Sequence, residues 1–188
     1  KVYPVTVVNL LGKDGDFEVD SNSDGLADGW LAWTWNGVTP TFALATERMF
    51  GSKSQKVTCT TSSTSSVKGG LYGEIHPVTS CVYYFSAHIK ILQLASGTVR
   101  VGVDLGTTMD ITQLNVWTKA SAFGTLTPGT RVRYCNASGL VSPDGNPVTT
   151  EFLTDGCMLI NLTEMGQLPP PLKEYFNNAV SNWADLAT

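Results

Sequence analysis

Along most of this chain apolar and polar residues alternate over short runs, and the runs are separated by clusters of Gly, Pro, Ser and Asp. A period of two predicts strands, each with one face turned to a core. The runs cover residues 2–11, 31–37, 41–48, 54–61, 83–93, 98–105, 113–123, 131–137 and 151–162. Most connections carry turn chemistry, as in Thr127-Pro128-Gly129 and Ser142-Pro143-Asp144-Gly145-Asn146-Pro147. The Ser/Thr-rich stretch 60–70 reads as a loop.

Two runs show the alternation best. Tyr83, Phe85, Ala87, Ile89 and Ile91 fall on one face and predict core, while Tyr84, Ser86, His88 and Lys90 fall on the other. Val99, Val101, Val103 and Leu105 likewise alternate with Arg100, Gly102 and Asp104. The two wet faces are expected to lie on neighbouring strands and to form a shared surface. Only near the end does the period change: Leu172, Tyr175, Phe176, Ala179, Val180 and Trp183 recur at helical spacing after a proline entry, which predicts a short closing helix within a tail over 169–188. The expected fold is an all-β sandwich with a short C-terminal helix, and residues 1–188 are expected to form a single domain.

Composition narrows the function. A chain of 188 residues, 42% hydrophobic, can bury one sizeable core. With a net charge of −4 and no basic run, it lacks the clustered Lys and Arg that nucleic-acid binding requires. No apolar run is long enough to span a bilayer, so membrane insertion is not expected, and no signal peptide is seen. Cys59, Cys81, Cys135 and Cys157 have neither C-x-x-C spacing nor a His placed to complete a zinc set. They read as buried strand residues, with one or two disulfides left open.

The candidate chemistry begins at residues 16–30, where Asp20, Asn22, Asp24 and Asp28 stand at positions 1, 3, 5 and 9 of a D-x-N-x-D-G-x-x-D loop. Gly25 takes position 6, and the Leu26 carbonyl is available at position 7. This is the ligand spacing of a calcium loop, because a hard cation wants six to eight oxygens. Leu31 stands where an EF-hand has its bidentate Glu, so Glu18 or a distant carboxylate would have to close the shell. A solvated acidic turn is the alternative. No nucleophile or acid/base motif accompanies His76 or His88, and no enzymatic activity is expected. Trp33 and Trp35 share a strand face, where they either pack in a core or offer a stacking platform to a sugar. Trp30, Trp117 and Trp183 read as structural. The polar faces, with Tyr84, His88 and Lys90 on one strand and Arg100 and Asp104 on another, are the competing ligand surface; simple solvation of those charges is the bland alternative.

Five segments occur in one order: NLL…GDFEVD…DGW, GSKSQKVT, VYYFSAHIK, VWTKASAFGTLTPGTRVRY and TDGCMLINL. Together they resemble the carbohydrate-binding-module type of jelly-roll sandwich, a galactose-binding-like family found with glycoside hydrolases and in phage proteins. The last segment, residues 158–188, resembles the endings of phage tail and fibre proteins, with Asn161 where those carry Asp. The resemblance implies a non-catalytic module of a virion appendage, a tail, fibre or capsid decoration, that acts outside the cell by attaching to host-surface glycan. Other virion proteins would be its partners, and a homo-oligomer is left open by analogy with trimeric fibres. A purely structural virion module and the accessory domain of a secreted polysaccharide-degrading enzyme are the alternatives. The resemblance also implies a structural Ca2+ held by Glu18 and Asp155, making one enlarged site or two neighbouring sites with the 20–28 loop.

Overall fold

A computed structural model describes residues 8–164. The strands are β1 (Leu31–Trp35), β2 (Thr39–Ala45), β3 (Ser54–Thr61), β4 (Val67–Ile75), β5 (Cys81–Gln93), β6 (Thr98–Val103), β7 (Thr108–Ile111), β8 (Thr118–Leu126), β9 (Arg131–Leu140) and β10 (Val148–Asn161). They form two five-stranded antiparallel sheets, ordered β1-β4-β9-β6-β7 and β2-β3-β10-β5-β8. The chain crosses repeatedly from one sheet to the other, as in a jelly roll. The expected all-β sandwich is therefore what the chain forms, while the expected helix within 169–188 falls outside the described residues.

Alternation produces the core. Val57 and Cys59 of β3, Leu71 of β4, Phe85, Ala87, Ile89 and Ile91 of β5, Val99 and Val101 of β6, and Phe152 of β10 are all fully buried between the sheets. Each large side chain buried this way contributes about 1.5–3 kcal/mol. At one end Trp30 is stacked on Phe17 at 5.1 Å between ring centroids and lies 4.7 Å beneath the Arg133 guanidinium. Its indole N–H donates to the Asp14 carbonyl at 2.8 Å, so the one polar atom of the plug is paired. All four cysteines are free and buried. Burial pushes the Cys59 thiol up to about 12, which leaves it protonated and inert as a nucleophile.

Several sequence expectations are corrected. Residues 8–11 of the first expected strand are not strand: they turn into a 3-10 helix, Gly12–Gly15, and the Asn9 side chain accepts from the Leu159 N–H that a strand carbonyl would have taken. Strand β4 occupies part of what reads as a Ser/Thr/Gly loop. Glycine pairs signal a break in sequence, but here they let neighbouring groups come close to the strand. Strand β7 is too short to show a period. Leu105 is 74% exposed, because β6 ends at Val103 and Leu105 sits in the following turn at φ 55°.

The acidic loop is tied to the sandwich by one buried side chain. Gln55 of β3 accepts from the Ala27 N–H at 2.8 Å and donates to the carbonyls of Gly25 (2.9 Å), Lys56 (3.0 Å) and Ala43 (3.1 Å). Gln55→Leu keeps the volume but strands the Ala27 N–H and the Gly25 carbonyl. It should cost about 2–4 kcal/mol in urea unfolding, since each orphaned buried group costs about 1–3 kcal/mol; a loss below 1 kcal/mol would show that the loop does not depend on this contact.

Candidate functional site

The outer face of the first sheet carries the densest set of side chains able to bind a polar ring. Register places three rows across its strands. Trp33, Gly70, Asn136, Arg100 and Asp110 lie opposite one another in turn; beside them run Leu31, Tyr72, Tyr134, Gly102 and Thr108, and on the other flank Trp35, Lys68, Ser138 and Thr98. Trp35 is 46% exposed and Trp33, Tyr72 and Tyr134 are half-buried. A cleft of about 470 Å³ opens beside β1, lined by Trp33, Tyr72, Glu74 and Val132 with Ala32 and Thr34.

Glycines shape this face. A Cβ on Gly102 would lie 2.4 Å from the Tyr134 ring, and one on Gly70 would lie 2.8 Å from the Cβ of Asn136. Tyr134 therefore leans over β6, and Trp33 meets it edge-on, with centroids 4.9 Å apart and planes at 75°. Crossed rings of this kind make a corner rather than a flat platform. Arg100 donates to Asp110 through Nε at 2.6 Å and Nη2 at 2.8 Å. That bidentate pair raises the guanidinium's pKa and holds the Asp110 carboxyl below its ordinary value. Lys68 sits 5.0 Å above the Trp35 ring. Burial raises the Tyr134 hydroxyl, with the nearby Asp104 and Asp110 adding to the shift.

The predicted ligand residues divide between two sides of the molecule. Trp33, Trp35 and Arg100 belong to the outer face of the first sheet, and Asp104 stands in the turn just past β6, near Tyr134. Tyr84, His88 and Lys90 do not share it, because β5 lies in the second sheet and β6 in the first. Tyr84 is 0% exposed and packs on Phe123 at 4.9 Å, so its ring offers no stacking surface. Burial also lowers His88 to about 4, and its ring meets Phe50 edge-on at 5.0 Å. Lys90 is ion-paired with Glu47. Sequence reasoning missed Lys68, Tyr72, Asp110, Tyr134 and Asn136. For Tyr134 and Asn136 the signal was present, as alternation with Arg133, Cys135 and Ala137 along β9.

In the acidic loop the side chains turn toward their own backbone. Asp20 accepts from the N–H groups of Asp24 (3.3 Å) and Gly25 (2.9 Å), and Asn22 accepts from the Asp24 N–H at 3.2 Å. Asp24 accepts from the Leu26 N–H at 2.8 Å and from Asn22 Nδ2 at 2.9 Å; Asp28 accepts from the Ser21 N–H at 3.0 Å. Gly25, at φ 86°, supplies the left-handed turn. Glu18 and Asp155 are drawn to a second segment. Met49 and Phe50 donate to Asp155 at 2.8 Å each, while Ser52 and Lys53 donate to Glu18 at 2.5 and 3.1 Å. Burial pushes the Asp155 carboxyl up to about 6, against the pull of these amides. Among the described residues no three His, Cys, Asp or Glu side chains converge to hold a metal ion. Glu18 and Asp155 both reach one short turn, 49–53, where separate backbone amides hold their carboxylates.

Neither a protein-family model nor a curated protein sequence matches this chain. Solved structures do match its fold. The xylan-binding CBM22-1 domain of Paenibacillus barcinonensis Xyn10C aligns over 85% of this chain and 97% of its own, with a TM-score of 0.51 and 16% identity. A structure described as a carbohydrate-binding module of the β-sandwich superfamily with promiscuous specificity aligns over 77% of this chain and 62% of its own (TM-score 0.52, 13% identity). An arabinose-bound α-L-arabinofuranosidase, MgGH51, matches with a TM-score of 0.57 and 13% identity over 83% of this chain, which spans 26% of that enzyme. At these identities the likeness establishes a shared sandwich fold.

The leaning of Tyr134 depends on Gly102. Gly102→Ala should push the ring aside at a cost of about 1–3 kcal/mol, read as a lowered urea midpoint with an unchanged slope; an unaltered midpoint would mean that the ring relaxes freely.

Proposed function

We propose that the chain is a non-catalytic carbohydrate-binding module whose ligand lies on the outer face of the first sheet. The observation that carries this reading is the gathering of Trp33, Trp35, Tyr72 and Tyr134 beside Asn136 and the Arg100–Asp110 pair on a single exposed face. Aromatic rings take the C–H faces of a sugar while amide, guanidinium and carboxylate groups take its hydroxyls. The fold shared with carbohydrate-binding modules, one named for xylan, supports this reading. The sequence likeness of residues 158–188 to phage tail and fibre endings supports a place in a virion appendage, with host-surface glycan as the target. Titration of xylo-, arabino-, gluco- and galacto-oligosaccharides by calorimetry tests the binding. Trp33→Ala and Trp35→Ala should each cost about 1–3 kcal/mol of affinity, whereas a Tyr84→Ala variant that still folds should bind as the parent does. Absence of binding to any glycan, including whole host polysaccharide, would overturn the proposal in favour of a structural virion module.

Calcium belongs to the same proposal as a structural ion. Glu18 and Asp155 by the 49–53 turn, and Asp20, Asn22, Asp24, Asp28 and the Leu26 carbonyl in the 20–28 loop, would hold it in one enlarged site or in two neighbouring sites and draw both segments against the sandwich. An ion bound only by the folded chain stabilises by RT ln(1 + [L]/Kd), about 2.7 kcal/mol at a hundred times Kd. Excess chelator should therefore lower the melting temperature, and Asp24→Ala should make the protein insensitive to added calcium; equal melting temperatures with and without chelator would remove the ion from the account.

A further inference from the structure

Asn136 lies on β9 at the centre of the outer face, between Gly70 of β4 and Arg100 of β6. The residue is 1% exposed, yet neither Oδ1 nor Nδ2 has a hydrogen-bond partner among the described residues. Leaving both halves of a buried amide unpaired is costly, and such groups are kept where something else pairs with them. The charged groups nearby have other partners: Arg100 is bound to Asp110, and Lys68 lies over Trp35.

The Trp33 indole extends from β1 toward this position. Trp33 stands on β1, two strands from β9 and so about 10 Å away at the usual strand spacing, but its ring centroid is 4.9 Å from that of Tyr134. To reach Tyr134 the indole passes over β4 at Gly70, the residue paired with both Trp33 and Asn136. Gly70 has no side chain to block that passage. Trp33 meets Tyr134 edge-on and remains half-exposed, so its ring keeps one side open to solvent.

We propose that Asn136 is the group that reads the sugar, and that the Trp33 indole covers it in the free protein and shifts off it when a neutral glycan binds. The inference rests on the carbohydrate-binding reading of the same face. An amide presents one donor and one acceptor side by side, which matches two adjacent sugar hydroxyls, one donating to Oδ1 and its neighbour accepting from Nδ2. Because Arg100 is neutralised by Asp110, a carboxylate-bearing sugar finds no unpaired guanidinium beside Asn136, and the Lys68 ammonium stands over Trp35 in the flanking row, away from the amide.

Asn136→Leu separates this role from a structural one. It keeps the volume and removes two unpaired polar atoms, so the free variant should melt at or above the parent's temperature while its affinity for the best neutral oligosaccharide falls about tenfold or more. A lowered melting temperature with unchanged affinity would make Asn136 a structural amide and overturn the proposal. In the parent protein, the Asn136 side-chain NH2 resonances should shift on saturation with that oligosaccharide, and the ligand-induced change in tryptophan fluorescence should shrink in Trp33→Phe to the part that Trp35 reports. Resonances that stay still while Trp33→Ala weakens binding would leave the carbohydrate face standing and remove Asn136 from it. A parent that binds no sugar would remove both, and tighter binding of uronate-bearing than of neutral oligosaccharides would overturn the ligand class.

Discussion

Strand β9 has to serve two environments at once, and most of what the molecule presents depends on how its residues are divided between them. Arg133, Cys135 and Ala137 point into the sandwich and Tyr134 and Asn136 point out, so a slip of one residue would exchange the two sets. The register is fixed by pairing on both sides, with β4 and with β6, and by an interior that accepts only the first set. The same pairing aligns Trp33 with Asn136 and Arg100 with Asp110. The outer face of the first sheet, proposed to bind sugar, is in this sense the reverse side of the core.

The glycines of the neighbouring strands complete the arrangement. An ordinary strand has side chains standing up from its face, which would fill the first sheet's outer surface and leave no room for rings to lie down. Gly70 and Gly102, set opposite Asn136 and Tyr134, clear that space, and the half-buried state of Trp33 and Tyr134 follows from it. Sequence composition counts glycine as a strand breaker, but here its lack of a side chain is what makes room on the strand.

A second constraint acts at the turns. Asp20, Asp24, Asp28, Glu18 and Asp155 direct their oxygens at backbone N–H groups, so charge that would repel within one small loop is spread over two segments and partly neutralised by amide dipoles. Asp155 faces outward by the ordinary alternation of β10, opposite His88 and out of phase with Phe152 and Thr154, and so reaches the turn at residues 49–50; the bulge between Asp155 and Met158 then changes which residues face inward. Phe152 and Thr154 face the core before it, Cys157 and Leu159 after it. Period-two alternation over 151–162 does not carry that change; its mark in the sequence is Gly156, which takes a left-handed φ of 54° at the bulge.

Local pattern by itself determined the all-β class, the core faces of β5 and β6, the burial of the four cysteines and the shared face of Trp33 and Trp35, because period-two alternation and turn chemistry are written in neighbouring residues. It misread β4 for its glycines and β7 for its shortness. It also set Tyr84, His88 and Lys90 beside Arg100 and Asp104, since strands close in sequence are expected to pair. Only the tertiary structure decided that β5 and β6 lie in different sheets, that Tyr84 and His88 of β5 are buried, and that Tyr72 and Tyr134 gather by Trp33 with Asn136 and the Arg100–Asp110 pair farther along the same row. Those outcomes depend on which strands pair across large separations in the chain, and that is set by the packing of two whole sheets rather than by any local run of residues.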